Sequence, residues 1–266
     1  MQIDWIPSAN AETNGVGTKI AVNVPSMEDL LSDLKIRLEK RQGFSLATLN
    51  LDHVVKLRDD HAFRAAYFAH SHVTADGNPI VWLSNIAGVR VDLLPGADLI
   101  RPLCFLAASM KVRIALLGSS DETLAAASST LASQCPGLDV ALCISPPMGF
   151  DPSGALADTF ISQLEDEDIG LCFLALGAPK QELFAAYAVS KLDNLGLVSI
   201  GAGLDFIAGT QTRAPKFIRL FAAEWLWRLS TNPRRLGLRY ARCIVVIPRL
   251  FWSALKVRLN YQIASR

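Results

Sequence analysis

No stretch of eighteen apolar residues occurs in this chain of 266, which excludes a conventional membrane-spanning helix. The longest candidate, residues 243–259, is interrupted by Pro248, Arg249, Lys256 and Arg258. No CxxC pair occurs either. The five cysteines (Cys104, Cys135, Cys143, Cys172 and Cys243) are odd in number and scattered, so they read as reduced core residues of a cytosolic protein. Asp4 and Pro7 stand where a secretory leader needs a basic start and an apolar run, and a cytoplasmic chain is expected. The dinucleotide fingerprint is incomplete: Gly201-Ala202-Gly203-Leu204-Asp205-Phe206 lacks the third glycine, and Gly118-Ser119-Ser120 departs further. There is no internal repeat and no low-complexity segment.

Charge is scarce, at 19%, and unevenly placed. Residues 1–212 hold 14 Lys/Arg against 24 Asp/Glu, whereas residues 213–266 hold 12 against the single Glu224. A tail of that kind is suited to an anionic partner: nucleic acid, lipid headgroups or a pyrophosphate. Arg228, Arg235, Arg242, Arg249 and Lys256 recur every seven residues, which on a helix makes one basic stripe. Trp225, Trp227, Phe251 and Trp252 lie among them, a pattern that fits an interfacial amphipathic segment. A helix packed by its aromatics, with a solvated basic face, fits as well. No nucleic-acid-binding module accompanies the charge.

What is present is hydrophobic residue, 51%, ample for a core. Short apolar strands are predicted at 45–49, 72–75, 80–83, 113–117, 140–144, 171–176 and 197–200. Helical patterns are predicted at 27–41, 97–110, 122–135, 153–165 and 180–193. This alternation predicts an α/β fold: a Rossmann-like parallel sheet with helices on both faces, plus a basic helical C-terminal appendage. The expected divisions are a loose N-terminal segment (1–20), a core (21–212) and the appendage (213–266), with breaks near Pro233 and Pro248.

Ligands in such folds bind at the carboxyl ends of the strands. Thr74-Ala75-Asp76-Gly77 ends a strand, and a carboxylate beside a permissive glycine suits base catalysis; an ordinary Asp-Gly turn is the alternative. Gly177-Ala178-Pro179-Lys180-Gln181-Glu182 follows a buried strand and opens a helix, a geometry that aims N–H groups and Lys180 at an anion. The alternative is a plain helix start with Lys180 and Glu182 exposed. Gly201 and Gly203 let the backbone pass close to a ligand or a neighbouring strand. His70, His72 and Asp76 are better read as structural than as a metal site. Asp166-Glu167-Asp168 carries an Asp-x-Asp pattern but precedes a strand, at the wrong edge for a ligand.

Four ordered blocks carry a resemblance that none carries alone. They are Thr48-Leu49-Asn50, the Asp76-Gly77 strand end, the Gly177–Glu182 turn, and the run from Gly201 through Arg213-Ala214-Pro215 to Glu224-Trp225-Leu226-Trp227-Arg228-Leu229 and Pro233-Arg234. Pro146-Pro147-Met148-Gly149-Phe150 adds a further loop. Together they resemble the WecG/TagA/CpsF family of bacterial glycosyltransferases over residues 46–240. The resemblance implies inverting transfer from a UDP-sugar to an undecaprenyl-pyrophosphate-linked saccharide in cell-surface or extracellular polysaccharide biosynthesis. It implies that Asp76 is the base, with Thr48 and Gln181 lining the pocket beside Asn50 and Gly77. It also implies no metal or other cofactor, and a basic appendage that docks on the inner face of the cytoplasmic membrane and closes the site. Relatives carry an arginine before the glycine matching Gly96; here Leu93 and Leu94 occupy that stretch, and the nearest arginine is Arg90.

Inverting transfer needs a base for the acceptor hydroxyl and cations for the departing diphosphate. Lys180, Arg213, Arg235 and Arg239 are the candidates for the second role. Two other classes compete: a nucleotide-dependent oxidoreductase, for which the missing GxGxxG counts against, and a non-catalytic membrane-associated assembly protein of the same fold. Oligomeric state and the identity of the sugar are not encoded in any pattern found.

Overall fold

Six short strands build one all-parallel sheet because their apolar runs are covered on both faces. In the computed structural model, which describes residues 20–212 and 233–264, these are β1 (Phe44–Leu49), β2 (His72–Ala75), β3 (Ile114–Gly118), β4 (Val140–Ile144), β5 (Leu171–Ala175) and β6 (Gly196–Ser199). Their order is β2-β1-β6-β5-β3-β4. The helices are α1 (Met27–Glu39), α2 (Leu51–Asp59), α3 (His61–Ala69), α4 (Asn78–Ile86), α5 (Gly96–Met110), α6 (Asp121–Gln134), α7 (Ala155–Asp166), α8 (Lys180–Val189), α9 (Gly203–Ala208) and α10 (Pro233–Ala264). The expected loose segment falls on residues outside those described, apart from Ile20. Arg213 and the Glu224–Leu229 block also lie outside the described residues.

Strand alternation divides the core. Leu46, Leu116, Phe173 and Val198 face α1, α5 and α6, whereas Ala115, Leu174 and Leu197 face α7 and α8. On that second side Ala47 and Leu49 meet α2, α3, α4 and α10. Parallel register aligns the strand ends: Leu49 pairs with Ala75, Leu46 with Val198 and Leu174 with Ser199. The carboxyl edge therefore brings together the residues that follow β2, β1, β6 and β5.

The structure corrects several sequence expectations. Residues 80–83 are helix, not strand. Gly77 ends the strand, Pro79 suits a first helical turn, and Ile80, Leu83 and Ala87 are buried at helical spacing. Helices α2 and α3 were absent from the expected elements, although Asn50 and Asp60 cap them by accepting from His53 N and Phe63 N. Cys143 is exposed on edge strand β4, unlike the other four cysteines. Asp166–Asp168 sits at the amino edge as expected, with Glu167 and Asp168 paired to Arg113 and Arg41.

The C-terminal helix is less of an appendage than its composition suggests. Cys243, Val246, Leu250 and Ala254 form a buried stripe on the helix, which packs on α2 and α4, and the last three belong to the core of that side. The helix also runs through Pro248, where a break was expected. Pro248 lies on the outward side with Ile244 and Val245, where the displaced carbonyl can reach water. Leu250→Ala is expected to cost about 2–4 kcal/mol by urea unfolding. The outward Trp252→Ala is expected to stay within about 0.5 kcal/mol; equal costs for the two would contradict this placement of the helix.

Candidate functional site

Asp76 stands at the carboxyl end of β2, its N–H donating to Leu49 O at 2.8 Å. One step beyond the Leu49–Ala75 pair, Asn50 lies beside it and its Nδ2 donates to Asp76 Oδ2 at 3.0 Å. The same side chain caps α2, since Asn50 Oδ1 accepts from His53 N at 3.0 Å. A cap needs its oxygen turned to the helix, so the amide nitrogen has only the other direction, toward Asp76. Gly77 follows at φ +103°, and an added Cβ would meet nothing nearer than Pro79 Cδ at 3.8 Å. Backbone conformation, not crowding, calls for glycine there.

Behind this pair lies a buried polar group. Tyr67 Oη donates to Thr48 O at 3.2 Å and is 2.6 Å from His53 Nδ1. Burial lowers the pKa of His53 to about 3, so its ring is neutral. Burial first, then the negative charges of Glu182 and Asp76, push the Tyr67 hydroxyl well up. Both carboxyl groups thus act on one phenol. Thr48 itself is buried at the end of β1.

The β5–α8 turn is arranged differently from a bare helix start. Gln181 N–H is spent on Gly177 O at 3.1 Å, and Ala178 O accepts from Lys56 Nζ at 3.2 Å. Lys180 is half-buried at the first position of α8. Glu182, for which exposure was the alternative, is fully buried, as is nearly all of Gln181. Gln181 Oε1 accepts from Gly201 N at 3.1 Å, and its Nε2 donates to Glu182 Oε1 at 2.8 Å. The β6–α9 turn is thereby tied to α8. Gly203 lets that turn pack on α5, since an added Cβ would meet Ile100 Cδ1 at 2.6 Å and Ala97 Cα at 3.3 Å.

Of the tail cations, Arg239 reaches this edge but is engaged: its Nε contacts Asp52 Oδ1 at 2.6 Å. Lys56 Nζ lies 3.0 Å from Asp52 Oδ2. Burial raises the Asp52 pKa, but the charges of Arg239 and Lys56 and their hydrogen bonds outweigh it, leaving it lowered. Arg235 falls within α10, with its side chain outside the described residues. A cavity of about 500 Å³ lies next to this cluster, lined by Lys56, Asp59, Asp60, His61, Pro179 and Arg242. Arg90 is not at the edge. Leu93 bridges Ala75 in parallel, and Arg90, three residues earlier in the chain, lines a cleft with Asp92 and Arg258.

His70 and His72 do not converge on Asp76: His70 Nδ1 meets Ala66 O, and His72 Nε2 meets Asp33 at 2.8 Å. Among the described residues no group of three or more His, Cys, Asp and Glu is arranged to hold a metal ion. Sequence reading missed Tyr67, His53 and Lys56, which carry no motif. It also missed a second polar group at the edge, where Asp205 accepts from Ser119 Oγ at 3.1 Å and Gln211 Nε2 at 3.0 Å. The positive φ of Ser119 (65°) beside Gly118 (117°) marks that turn in the structure, and the Gly118-Ser119-Ser120 signal was its only trace in the sequence.

Residues 16–263 match the model of the glycosyl transferase WecG/TagA/CpsF family. The chain is 25% identical over 225 residues to an N-acetylglucosaminyldiphosphoundecaprenol N-acetyl-beta-D-mannosaminyltransferase of Bacillus spizizenii, covering 82% of this chain and 81% of that protein. It is 23% identical over 250 residues to the protein of the same name from Bacillus subtilis, covering 91% and 93%.

Glu182 supplies a pH test of the buried group. Burial lifts its pKa from 4.5 to about 7, with the Gln181 hydrogen bond and the Lys56 charge pulling the other way. A carboxyl raised on folding contributes stability that is complete below its unfolded pKa and lost as pH rises through the folded one. Wild type is therefore expected to lose about 3 kcal/mol relative to Glu182→Gln between pH 4.5 and 8, by denaturant unfolding. The lowered histidines, His53 and His70, act in the opposite sense but are common to both proteins. Parallel pH curves would show that the carboxyl is not buried as described.

Proposed function

The chain belongs to the WecG/TagA/CpsF family of glycosyl transferases, and on that premise we propose that Asp76 is the base in transfer of a sugar from a UDP-sugar to an undecaprenyl-diphosphate-linked saccharide. The observation that carries the reading is the Asn50-held carboxylate of Asp76 at the carboxyl edge, beside the conformationally permissive Gly77. The relatives' printed acceptor, an N-acetylglucosaminyl diphosphoundecaprenol, and their N-acetylmannosaminyl group are the first substrates to try. Family membership removes the oxidoreductase alternative.

In the proposed step the Asp76 carboxylate takes the proton of the acceptor hydroxyl. That oxygen forms a bond to the anomeric carbon from the face opposite the leaving group. The bond from carbon to the β-phosphate oxygen breaks, and UDP departs with the electron pair. Asn50 holds one carboxylate oxygen by its amide, which fixes the orientation of the base. Lys180, the start of α8 and the tail arginines Arg213, Arg235 and Arg239 are proposed to meet the diphosphates. Arg239 already neutralises Asp52, so its use would require exchanging one anion for another.

The acceptor is a lipid, and the outward face of α10 suits a membrane surface. No described helix is long and apolar enough to cross a membrane. Directly opposite the buried stripe, Leu238, Val245, Trp252 and Leu259 recur every seven residues and are 66%, 76%, 64% and 55% exposed. Arg242, Arg249 and Lys256 flank them, also exposed. A helix apolar on two opposed faces, one of them edged with cations, supports docking on the cytoplasmic leaflet.

Asp76→Asn is expected to fold as wild type and to lose about a hundredfold or more of kcat. The measurement is UDP release from UDP-N-acetylmannosamine with a short-chain polyprenyl-diphosphate-linked N-acetylglucosamine. An active Asp76→Asn enzyme would sink the base assignment. For the membrane, the double variant Val245→Ser, Trp252→Ser is expected to lose about tenfold in binding to phosphatidylglycerol vesicles by sedimentation. Point changes are required because the inner face of α10 is part of the core; unchanged binding would reject this face.

A further inference from the structure

Glu182 is a charged residue type with no exposed surface, placed third in α8, the helix that follows the β5–α8 turn. Its Oε1 is held by Gln181, while its Oε2 has no hydrogen-bond partner among the described residues. Ser199 Oγ is in the same condition. Ser199 lies two residues beyond Leu197 on β6, hence on the side of the sheet that α8 covers. Burying a carboxyl there costs free energy that a methionine of similar volume would avoid. Such a cost points to a demand other than stability.

The demand is visible in what Glu182 holds. Gly201 N–H can only donate, so the Gln181 atom facing it is Oε1, and Nε2 is left pointing into the core. There it needs an acceptor that will not compete for Gly201. Glu182 Oε1 is that acceptor, in the neutral acid through its carbonyl oxygen and in the anion through its charge. Without it the carboxamide could turn over and present N–H to N–H. We propose that Glu182 is a positioning residue of the transfer site, which locks the Gln181 carboxamide in the orientation that ties the Gly201 turn to the start of α8.

The consequence concerns the edge as a whole. Strand β6 lies between β1, which leads to Asn50 beside Asp76, and β5, which leads to Lys180. The Gly201 turn is therefore the partition between the side that carries the base and the side that carries the helix start. A brace across it sets the separation of the two. This inference rests on the transfer reading for its effect on rate, but the brace itself is testable without activity.

The test uses the full chain and two readouts: hydrogen exchange of the Gly201 amide by NMR, and transfer kinetics. Glu182→Met is expected to speed Gly201 exchange about tenfold and to lower kcat about tenfold, the scale of one lost hydrogen bond. Both KM values should change less than about twofold. Glu182→Gln, whose carbonyl can still accept from Gln181, should restore both. In a Gln181→Ala background, Glu182→Met should add nothing further, because the effect passes through Gln181. Unchanged Gly201 exchange, no rescue by Gln, or additive losses would each overturn the brace. Should Glu182→Met fail to fold, Glu182→Asp, which withdraws the acceptor by one methylene, takes its place with the same expectations. If wild type shows no transfer, the transfer reading fails, and the exchange arms still decide the brace.

Discussion

Parallel register is the constraint on which this site depends. Because Leu49 pairs with Ala75, the residues one step beyond the strands, Asn50 and Asp76, come side by side and hydrogen bond. Because Leu174 pairs with Ser199, Gly201 comes within reach of Gln181. A slip of one residue in either pair would turn every side chain to the other face and separate both contacts. The buried faces forbid that slip: β1 alone divides Phe44 and Leu46 from Ala47 and Leu49 between two cores. Packing deep in the sheet therefore sets the geometry of polar groups at its rim.

The polar groups of the edge are held in pairs rather than left free. Asn50 serves a helix cap and Asp76 together, Gln181 serves Gly201 and Glu182, and Asp52 serves Lys56 and Arg239. The amides of Asn50 and Gln181 have fixed orientations because one of the two bonds of each admits only one donor–acceptor sense, whereas Asp52 is held by cations on both oxygens. Pre-set orientation of this kind lowers the reorganisation needed when charge develops nearby. The same logic explains why the expected anion-facing helix start is partly closed: Gln181 N–H already donates to Gly177 O.

The C-terminal helix carries two apolar faces that composition alone does not separate. Its inner stripe, Val246 to Ala254, belongs to the core over α2 and α4. Its outer stripe of Leu238, Val245, Trp252 and Leu259 faces away, and its basic residues lie between the two. Docking of that outer stripe would hold α2, and with it Asn50 and Asp52, at a fixed height above a lipid surface.

The sequence by itself determined the alternation of strand and helix, the sheet's parallel character, and the four ordered blocks that point to the family. These are local or ordered signals, carried by apolar period, glycine-ended strands and short motifs. It assigned residues 80–83 to a strand because a short apolar run has no period of its own, and Ile80, Leu83 and Ala87 became a helical stripe only against the core of α2 and α3. Only the tertiary structure decided that Glu182 is buried, that Tyr67 and His53 stand behind Asp76, and that Arg239 meets Asp52 across 187 positions of chain. Burial and ion pairing depend on which elements pack together, and the spacing of residues along a chain does not carry that information.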